Sequence, residues 1–261
     1  MAYWLFLVTF DPGGKPRVAS EFPLTLRAQP NGLLVTDVNG DGLADFLSGA
    51  PFVNTGGNDR GQSYLIYGQP TGTSLSSWPN MDDVGSTLAG ATFEGVANGD
   101  QSGFSVSGAG DVNGDGLDDL LIGALRAAAG GYTRGQSYLV YGQPTGRQLS
   151  GTLSLAKVGG TLAGAIFNGI DDTDYSGKSV AAAGDVNGDG WDDLLIGAHS
   201  AAGGGTNRGE TYLVYGQSNI NPLSGSLDLA DVGGTLAGAI FSGSENYDRS
   251  GVSVSTAGDV N

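Results

Sequence analysis

An acidic segment of nine residues recurs at a constant interval along this chain of 261 residues. Three copies are complete and a fourth is cut short at the last residue; the copies begin at Asp37, Asp111, Asp185 and Asp259. Each copy starts 74 residues after the one before it, as 111 − 37 shows. A constant period of this length indicates a repeat architecture, in which each repeat is one structural unit that stacks on the next.

The segments between the acidic copies also recur, and they predict short β-strands. They are rich in Val, Ile, Tyr, Phe and Thr and are bounded by Gly, Asn or Asp, which is typical of strands. In the second repeat the four predicted strands read SVSGAGDV, DLLIGA, SYLVYG and TLAGAIF. Residues 138–141 (YLVY) are apolar at every position, so this strand is expected to be covered on both faces. No stretch of helical length has an apolar period of 3.6 residues.

Four-stranded sheets repeated in tandem predict an all-β fold made of β-propeller blades, each with four antiparallel strands. A β-solenoid is the alternative, but its repeats are normally much shorter than the repeat found here. The predicted blades cover about residues 33–95, 103–169 and 177–243, with one strand of a fourth blade over 251–261. Three blades and a strand do not close a ring, so we expect a fragment of a longer protein.

Residues 1–32 fall outside the repeat pattern and are predicted to be an irregular segment or a strand. Ala2–Phe10 is apolar, and its Trp, Phe, Val and Thr favour a strand. A degenerate signal peptide is the alternative for the same residues, although a basic n-region and a clear cleavage site are missing.

The acidic segment presents oxygen atoms at alternate positions, as loops that bind Ca²⁺ do. Counted from the first Asp, side-chain oxygens fall at positions 1, 3, 5 and 9, and the backbone carbonyl of position 7 is a further ligand. The predicted ligands are Asp37, Asn39, Asp41, Leu43 and Asp45 in loop one, Asp111, Asn113, Asp115, Leu117 and Asp119 in loop two, and Asp185, Asn187, Asp189, Trp191 and Asp193 in loop three. Glycine at position 6 is expected where the loop turns sharply with positive φ. About three Ca²⁺ sites follow, because an all-oxygen set suits Ca²⁺ better than zinc or copper.

The loops allow two other interpretations. An EF-hand loop needs a bidentate Glu at position 12, which here is Ser48, Ile122 or Ile196. An Asx-rich turn that binds nothing would explain one isolated copy. Three complete copies favour metal binding.

The charge and composition exclude several functions. The net charge of −16 argues against nucleic acid, because a phosphate backbone requires a basic surface. The absence of cysteine excludes disulfides and thiolate metal sites. No stretch approaches the ~20 apolar residues that a membrane helix requires, so no membrane insertion is expected.

The sequence DVNGDGLDDLLIGA, preceded by GFSVSGAG and followed by SYLVYG, resembles the FG-GAP repeat of integrin α-type propellers and their bacterial relatives. The resemblance covers about residues 33–261. It implies a seven-bladed propeller whose Ca²⁺ loop joins the first two strands of each blade. Ser102-Gly103 replaces the Phe-Gly signature and only Gly49-Ala50-Pro51 keeps Gly-Ala-Pro, which favours a bacterial-like member.

The function implied by the resemblance is that of an extracellular or cell-surface scaffold for adhesion or recognition. The expected partner is a protein or glycan ligand on a surface, bound by loops other than the metal loops. The alternative is an accessory repeat region of a larger secreted enzyme such as a hydrolase. Within this chain we expect no catalysis: His199 is the only histidine, a Gly-x-Ser-x-Gly elbow is missing, and no single carboxylate pair is distinguished from the repeated ones.

Three further polar positions recur with the repeat. Asp100, Asp174 and Asp248 are expected to cap turns rather than to form a second ion site. Arg60, Arg134 and Arg208 are expected to pair with carboxylates between neighbouring strands. Asp118 and Asp192, at position 8 of loops two and three, are expected to face solvent or to tune the charge of the metal site, and Ala44 takes this position in loop one.

Overall fold

The computed structural model of the protein describes residues 3–10, 16–24, 36–55, 57–70, 80–128 and 130–258. The chain divides into two units, Met1–Leu33 and Leu34–Asn261. In the first unit, β1 (Tyr3–Phe10) pairs antiparallel with β2 (Pro16–Leu24). The apolar start of the chain therefore lies in a strand in this structure.

The second unit is built almost entirely from short strands. In chain order they are β3 (Phe46–Ala50), β4 (Gln62–Ile66), β5 (Gly90–Glu94), β6 (Ser102–Gly110), β7 (Asp119–Ala124), β8 (Gln136–Val140), β9 (Gly151–Ser154), β10 (Gly164–Asn168), β11 (Ser176–Gly184), β12 (Asp193–Ala198), β13 (Glu210–Val214), β14 (Gly225–Asp228) and β15 (Gly238–Ser242). The helical elements of the described residues are three single-turn 3-10 helices, Met81–Asp83, Leu155–Lys157 and Leu229–Asp231. The predicted all-β class is confirmed.

The strands form three sheets that correspond to the repeats. Blade two contains β6, β7, β8 and β10, and blade three contains β11, β12, β13 and β15, each with antiparallel neighbours. Blade one contains β3, β4 and β5. Its expected first strand falls largely outside the described residues, although Thr36 forms an antiparallel bridge with Asp45. The four-stranded antiparallel blade of the prediction is thus confirmed in blades two and three.

The outer strands of blades one and two each gain a partner that the sequence did not predict. β9 adds to β5 of blade one, and β14 adds to β10 of blade two, both in parallel orientation. The register places Leu153 opposite Phe93 and Leu227 opposite Phe167. Because β9 and β14 belong to the repeat that follows, every described blade-to-blade junction is bridged by a backbone ladder as well as by side-chain packing.

Residues 251–258, where the sequence predicts the first strand of a fourth blade, form turns and irregular backbone. No second strand pairs with this segment within the described residues, and a single strand without a partner leaves its backbone groups unsatisfied. The fourth acidic copy at Asp259 lies outside the described residues.

The apolar core lies between successive blades. One cluster joins Leu65 and Phe93 of blade one to Leu120 and Ile122 of blade two. The equivalent cluster joins blade two to blade three and contains Phe167 and Tyr212. Phe93 and Phe167 are fully buried, whereas the corresponding Phe241 of blade three is 55% exposed. The phenylalanines of blades one and two are therefore buried by the blade that follows rather than by their own.

Glycine permits a close approach between the inner strands of neighbouring blades. A Cβ on Gly123 would lie 2.2 Å from the carbonyl oxygen of Gly177, and a Cβ on Gly49 would lie 2.0 Å from that of Gly103. The Ser105 hydroxyl donates to the Gly177 carbonyl over 2.8 Å at the same contact. Any larger residue at Gly49 or Gly123 would push two blades apart.

Candidate metal centre

The three acidic loops precede the second strand of each blade. Residues 111–118 connect β6 to β7, and residues 185–192 connect β11 to β12. Glycine at position 6 has the predicted positive φ in every loop, with values of 80° at Gly42, 86° at Gly116 and 93° at Gly190. The loops therefore reverse direction at the point where the sequence requires a residue without a side chain.

The side chains of positions 1, 3 and 5 turn into their own loop. In loop two the Asp111 carboxylate accepts hydrogen bonds from the N–H groups of Asp115 (3.0 Å) and Gly116 (2.8 Å). Asn113 Oδ1 accepts from Asp115 N–H at 2.8 Å, and Asp115 Oδ1 accepts from Leu117 N–H at 3.0 Å. The same four bonds recur in loop one and in loop three. The odd-numbered oxygens are consequently directed inward, around one turn of backbone.

The aspartate at position 9 fastens the loop to the rest of its blade. Asp119 is fully buried; its Oδ2 accepts from Val112 N–H at 3.0 Å and its Oδ1 from Gly142 N–H at 2.9 Å. Burial raises the pKa of Asp119 to about 8, against the lowering effect of these two hydrogen bonds. Burial likewise raises the pKa of Asp45 to about 6 and raises that of Asp193. Sequence reasoning assigned these residues to metal alone and missed that they join the loop to the end of the third strand.

Burial and like charge together make position 9 of each loop an unfavourable place for negative charge. The carboxylates of Asp111 and Asp115 add to the upward shift of the Asp119 pKa. A cation within the turn would offset both effects, because an opposite charge favours the ionised carboxylate. The arrangement therefore stores an electrostatic cost that a divalent cation relieves.

The donors in each loop have the chemistry that Ca²⁺ requires, since they are all oxygens. A carboxylate oxygen that accepts one N–H keeps a second lone pair for a metal. Within the described residues no group of three Asp, Glu or His side chains is already close enough to hold an ion, so binding requires the carboxylates to draw inward. The predicted ligand sets suit calcium by donor type. All of these ligands, the carbonyls of Leu43, Leu117 and Trp191 included, remain predictions.

The blade that follows contacts each of the first two loops. Asp118 Oδ2 accepts from the N–H of Asp37 at 2.8 Å, and the N–H of Asp118 donates to the Asp37 carbonyl at 3.2 Å. Asp192 makes the same pair of bonds with Asp111, at 2.9 Å and 3.1 Å. The expectation that position 8 faces solvent is wrong, because both carboxylates are bound to the loop of the preceding blade.

Position 7 packs on the same neighbouring loop. A Cβ added to Gly40 would lie 2.8 Å from the Leu117 side chain, and one added to Gly114 would lie 2.4 Å from the Trp191 indole nitrogen. Leu117 and Trp191 therefore cover the fourth position of the preceding loop, and glycine at that position leaves the space that they need.

The other recurrent aspartates cap turns, as predicted. Asp100 Oδ2 accepts from Ala97 N–H at 2.7 Å, and the Asp174 and Asp248 carboxylates accept the equivalent bond from the residue three positions earlier. Burial raises the pKa of Asp174 to about 6. These bonds fix the turns that connect one blade to the next.

The recurrent arginines follow the prediction in one repeat. Arg134 Nε lies 3.1 Å from Asp172 Oδ1, which is the expected pairing with a carboxylate. In the third repeat the partner of Arg208 is the Asn246 amide at 3.5 Å. Arg60 Nε is buried without a hydrogen-bond partner. A common charge pairing of all three arginines is therefore wrong, since the partner changes from repeat to repeat.

A polar groove lies at the end of the blades opposite the acidic loops. It has a volume of about 450 Å³ and spans the junction of blades one and two, where β14 also ends. Its lining includes Asp100, Arg134, Gln136, Asn168 and Asp228. The groove offers a polar ligand hydrogen-bonding groups of three kinds: carboxylates, a guanidinium group and neutral amides.

His199 lies apart from the acidic loops. Its ring centroid is 5.6 Å from that of Tyr175, and burial, followed by the charges of Lys178 and Arg249, lowers its pKa. His199 Nδ1 is buried without a hydrogen-bond partner. The described contacts therefore give this imidazole no carboxylate that would orient it as a base.

In the described part of the chain, no helix has the length and hydropathy needed to cross a membrane.

Comparison with known proteins gives three matches to the FG-GAP repeat, over residues 30–66, 102–140 and 176–214. The chain is 32% identical over 201 residues to rat (Rattus norvegicus) phosphatidylinositol-glycan-specific phospholipase D, a match that covers 75% of this chain and 21% of that protein. It is 30% identical over 198 residues to mouse (Mus musculus) integrin alpha-IIb, covering 72% of this chain and 17% of the integrin. The chain thus spans about a fifth of the length of these relatives.

Proposed function

The chain belongs to the FG-GAP repeat family, and on this premise we propose that it is a calcium-binding, non-catalytic β-propeller module that serves adhesion or recognition outside the cell or at its surface. The observation that carries the proposal is the common geometry of the loops. In loops one, two and three the oxygens of positions 1, 3 and 5 face the interior of one turn, in a donor set without nitrogen or sulfur.

Each loop would hold one Ca²⁺ through its predicted ligands. The ion supplies positive charge that stabilises the ionised carboxylates. The residues of this chain do the rest: positions 1, 3 and 5 present oxygens from the turn, and position 9 ties that turn to the third strand. Since the loop joins the first two strands of a blade, a bound ion stabilises that hairpin by mass action. Extracellular modules bind Ca²⁺ with Kd of about 10⁻⁴ to 10⁻³ M, so such sites fill outside cells.

Recognition would use the opposite end of the blades. There the groove lined by Asp100, Arg134 and Asn168 offers polar contacts suited to a protein or glycan ligand. The connecting loops at this end are free of the repeated acidic motif, so they can vary without affecting the metal sites. The metal loops keep the blades stacked, and the groove lies where two blades meet.

A second function is favoured by the similarity to a phospholipase. The matched part of that protein is about a fifth of its length, and the match lies in the FG-GAP repeats of this chain. The alternative is that this chain is an accessory repeat region of a larger secreted enzyme, with catalysis carried by another domain. Fusion of the chain to a catalytic domain in its full-length gene would support this alternative, whereas further FG-GAP repeats alone would support the first proposal.

Calorimetric titration of Ca²⁺ into the EDTA-treated chain tests the metal proposal. About three sites are expected, with Kd in the range given above. The variant Asp115→Ala should lose one site, because it removes the position-5 carboxylate of loop two. Asp171→Ala is the matched control, since it removes an exposed carboxylate at the opposite end of blade two. Absence of calcium heat in the wild-type chain would contradict the proposal.

The recognition proposal has a separate test. The purified chain is immobilised and screened against arrayed glycans and purified cell-surface proteins, with Ca²⁺ and with EDTA. Binding that depends on Ca²⁺ and is weakened by Arg134→Ala in the groove is expected. Binding that Arg134→Ala leaves unchanged would place recognition elsewhere.

A further inference from the structure

We propose that the position-8 aspartates Asp118 and Asp192 are positioning residues that complete the metal loop of the preceding blade. Loops one and two are then each built by two blades, and loop three, which has no such partner in the described residues, binds calcium more weakly. This inference rests on the proposed calcium-binding function, and it concerns residues outside every predicted ligand set.

Asp118 makes two hydrogen bonds with the first residue of loop one. Its carboxylate accepts from the Asp37 N–H at 2.8 Å, and its own N–H donates to the Asp37 carbonyl at 3.2 Å. The same two bonds join Asp192 to Asp111. The backbone of a residue held at both its N–H and its carbonyl has little freedom to rotate, so the direction of its side chain is fixed.

Blade two also makes hydrogen bonds with the two residues that follow position 1 of loop one. The Val38 carbonyl accepts from Gln143 N–H at 3.0 Å, and the Asn39 carbonyl accepts from both the N–H (2.9 Å) and the hydroxyl (3.0 Å) of Thr145. Blade two therefore holds three consecutive carbonyls of loop one. Positions 1 and 3 are predicted ligands, and holding their backbone lowers the entropy that is lost when the ion binds.

Positions 2 and 3 of loop three are more exposed than those of loops one and two. Val38 and Val112, at position 2 of loops one and two, are fully buried, whereas Val186 is 56% exposed. Asn39 and Asn113 are each 4% exposed, whereas Asn187 is exposed. Within the described residues Asp185 N–H has no carboxylate partner, although loop three makes all the internal hydrogen bonds of the other loops. The loops differ in their neighbour and not in the residue types of their predicted side-chain ligands.

Position 8 is not required by the ligand pattern of the loop itself. Ala44 takes the place of aspartate in loop one, which keeps the predicted ligands of the other loops. Asp118 and Asp192 at this position each contact the loop of the preceding blade, which agrees with a role toward the neighbour rather than toward the loop's own ion.

Calcium titration of single and double variants tests the inference. The wild-type chain should show two tighter sites and one that is about tenfold weaker, which corresponds to about 1.4 kcal/mol. Asp118→Ala should weaken one of the tighter sites by about tenfold, because a charge-assisted hydrogen bond is lost. Asp192→Ala should weaken the other. Asp118→Asn keeps an acceptor oxygen and should lose less affinity, and it serves in place of the alanine variant if that variant does not fold.

A double variant shows across which blade Asp118 acts. Asp41→Ala removes the site of loop one, so adding Asp118→Ala in that background should leave the two remaining affinities unchanged. Further weakening would show that Asp118 acts on its own loop two, which would overturn the inference. In the metal-free chain, amide exchange at Asp37 should be faster in Asp118→Ala than in wild type, a readout that does not depend on calcium.

The outcomes separate this inference from the proposed function. A wild-type chain without calcium heat contradicts the proposed function and the inference together. Three calcium sites whose affinities are equal in wild type and unchanged in Asp118→Ala and Asp192→Ala overturn the inference alone. Asp171→Ala is the matched control and should leave all three affinities unchanged.

Discussion

Phe167 and Phe241 occupy the same position in successive repeats, and truncating each to alanine should have very different effects. Phe167 is fully buried between blades two and three, so Phe167→Ala removes its transfer free energy and leaves a cavity. The expected loss in the free energy of unfolding is about 3–5 kcal/mol. Phe241 is 55% exposed, so its truncation forms no closed cavity and should cost about 1 kcal/mol.

Thermal unfolding followed by circular dichroism, at a fixed Ca²⁺ concentration, measures the difference. For a chain of this size 1 kcal/mol corresponds to about 2–4 °C in Tm. Phe167→Ala should therefore lower Tm by about 10 °C, and Phe241→Ala by about 3 °C. Since the two substitutions are chemically identical, the comparison cancels the intrinsic effect of losing a phenyl ring. Equal shifts for the two variants would refute the account that each blade is buried by the next.

Three further predictions follow from packing, backbone pairing and charge. Gly123→Ala should destabilise the chain several times more than Gly160→Ala in thermal unfolding. The added Cβ would lie 2.2 Å from the Gly177 carbonyl oxygen at Gly123, but 3.5 Å from the nearest atom at Gly160. Equal Tm values for the two variants would contradict the close approach of the blades. Ser226→Pro, in β14, should lower the midpoint of denaturant unfolding, because proline fits poorly inside a paired strand and cannot accept the hydrogen bond that Asn168 Nδ2 donates to the Ser226 hydroxyl at 2.8 Å. An unchanged midpoint would show that this strand adds no stability. Burial raises the pKa of Asp119 to about 8 in the folded chain, above its value in the unfolded chain. The free energy of unfolding of the metal-free protein should therefore fall as pH rises from about 4 to about 8, and Asp119→Asn should flatten this dependence. A wild-type Tm that rises over this pH range would contradict the prediction.

The repeat period accounts for most of what could be predicted about the fold. Segments such as DLLIGA and SYLVYG recur in a constant order, and the strands β7 and β8 form where these letters predict them. The positive φ of Gly116 was also predictable, because a tight acidic turn needs a residue without a Cβ at that position.

The parallel pairing of β9 with β5 and of β14 with β10 could not be predicted from the local sequence pattern. β9 and β14 are four residues long, begin with glycine and contain one large apolar residue each. Such a segment carries too little alternation to indicate a strand, and its pairing with β5 or β10 is decided by the stacking of whole blades.

The candidate site shows the same division between local and tertiary information. The inward direction of Asp111, Asn113 and Asp115 follows from Asx turns within the loop, which sequence alone suggests. The bonds from Asp118 to Asp37 and from Asp119 to Gly142 connect residues that are distant in sequence or lie in different blades. The sequence of a loop alone therefore predicts that its Asp and Asn side chains bond to their own turn, but not the neighbours that hold the loop.

The most direct test of calcium binding is a crystal structure of the chain grown in a millimolar excess of Ca²⁺. The account predicts a strong anomalous peak inside each of the three loops, with oxygens of positions 1, 3, 5, 7 and 9 at about 2.3–2.6 Å. Loops without a peak, in which Asp111, Asp115 and Asp185 still accept only hydrogen bonds from their own loop, would contradict the central claim.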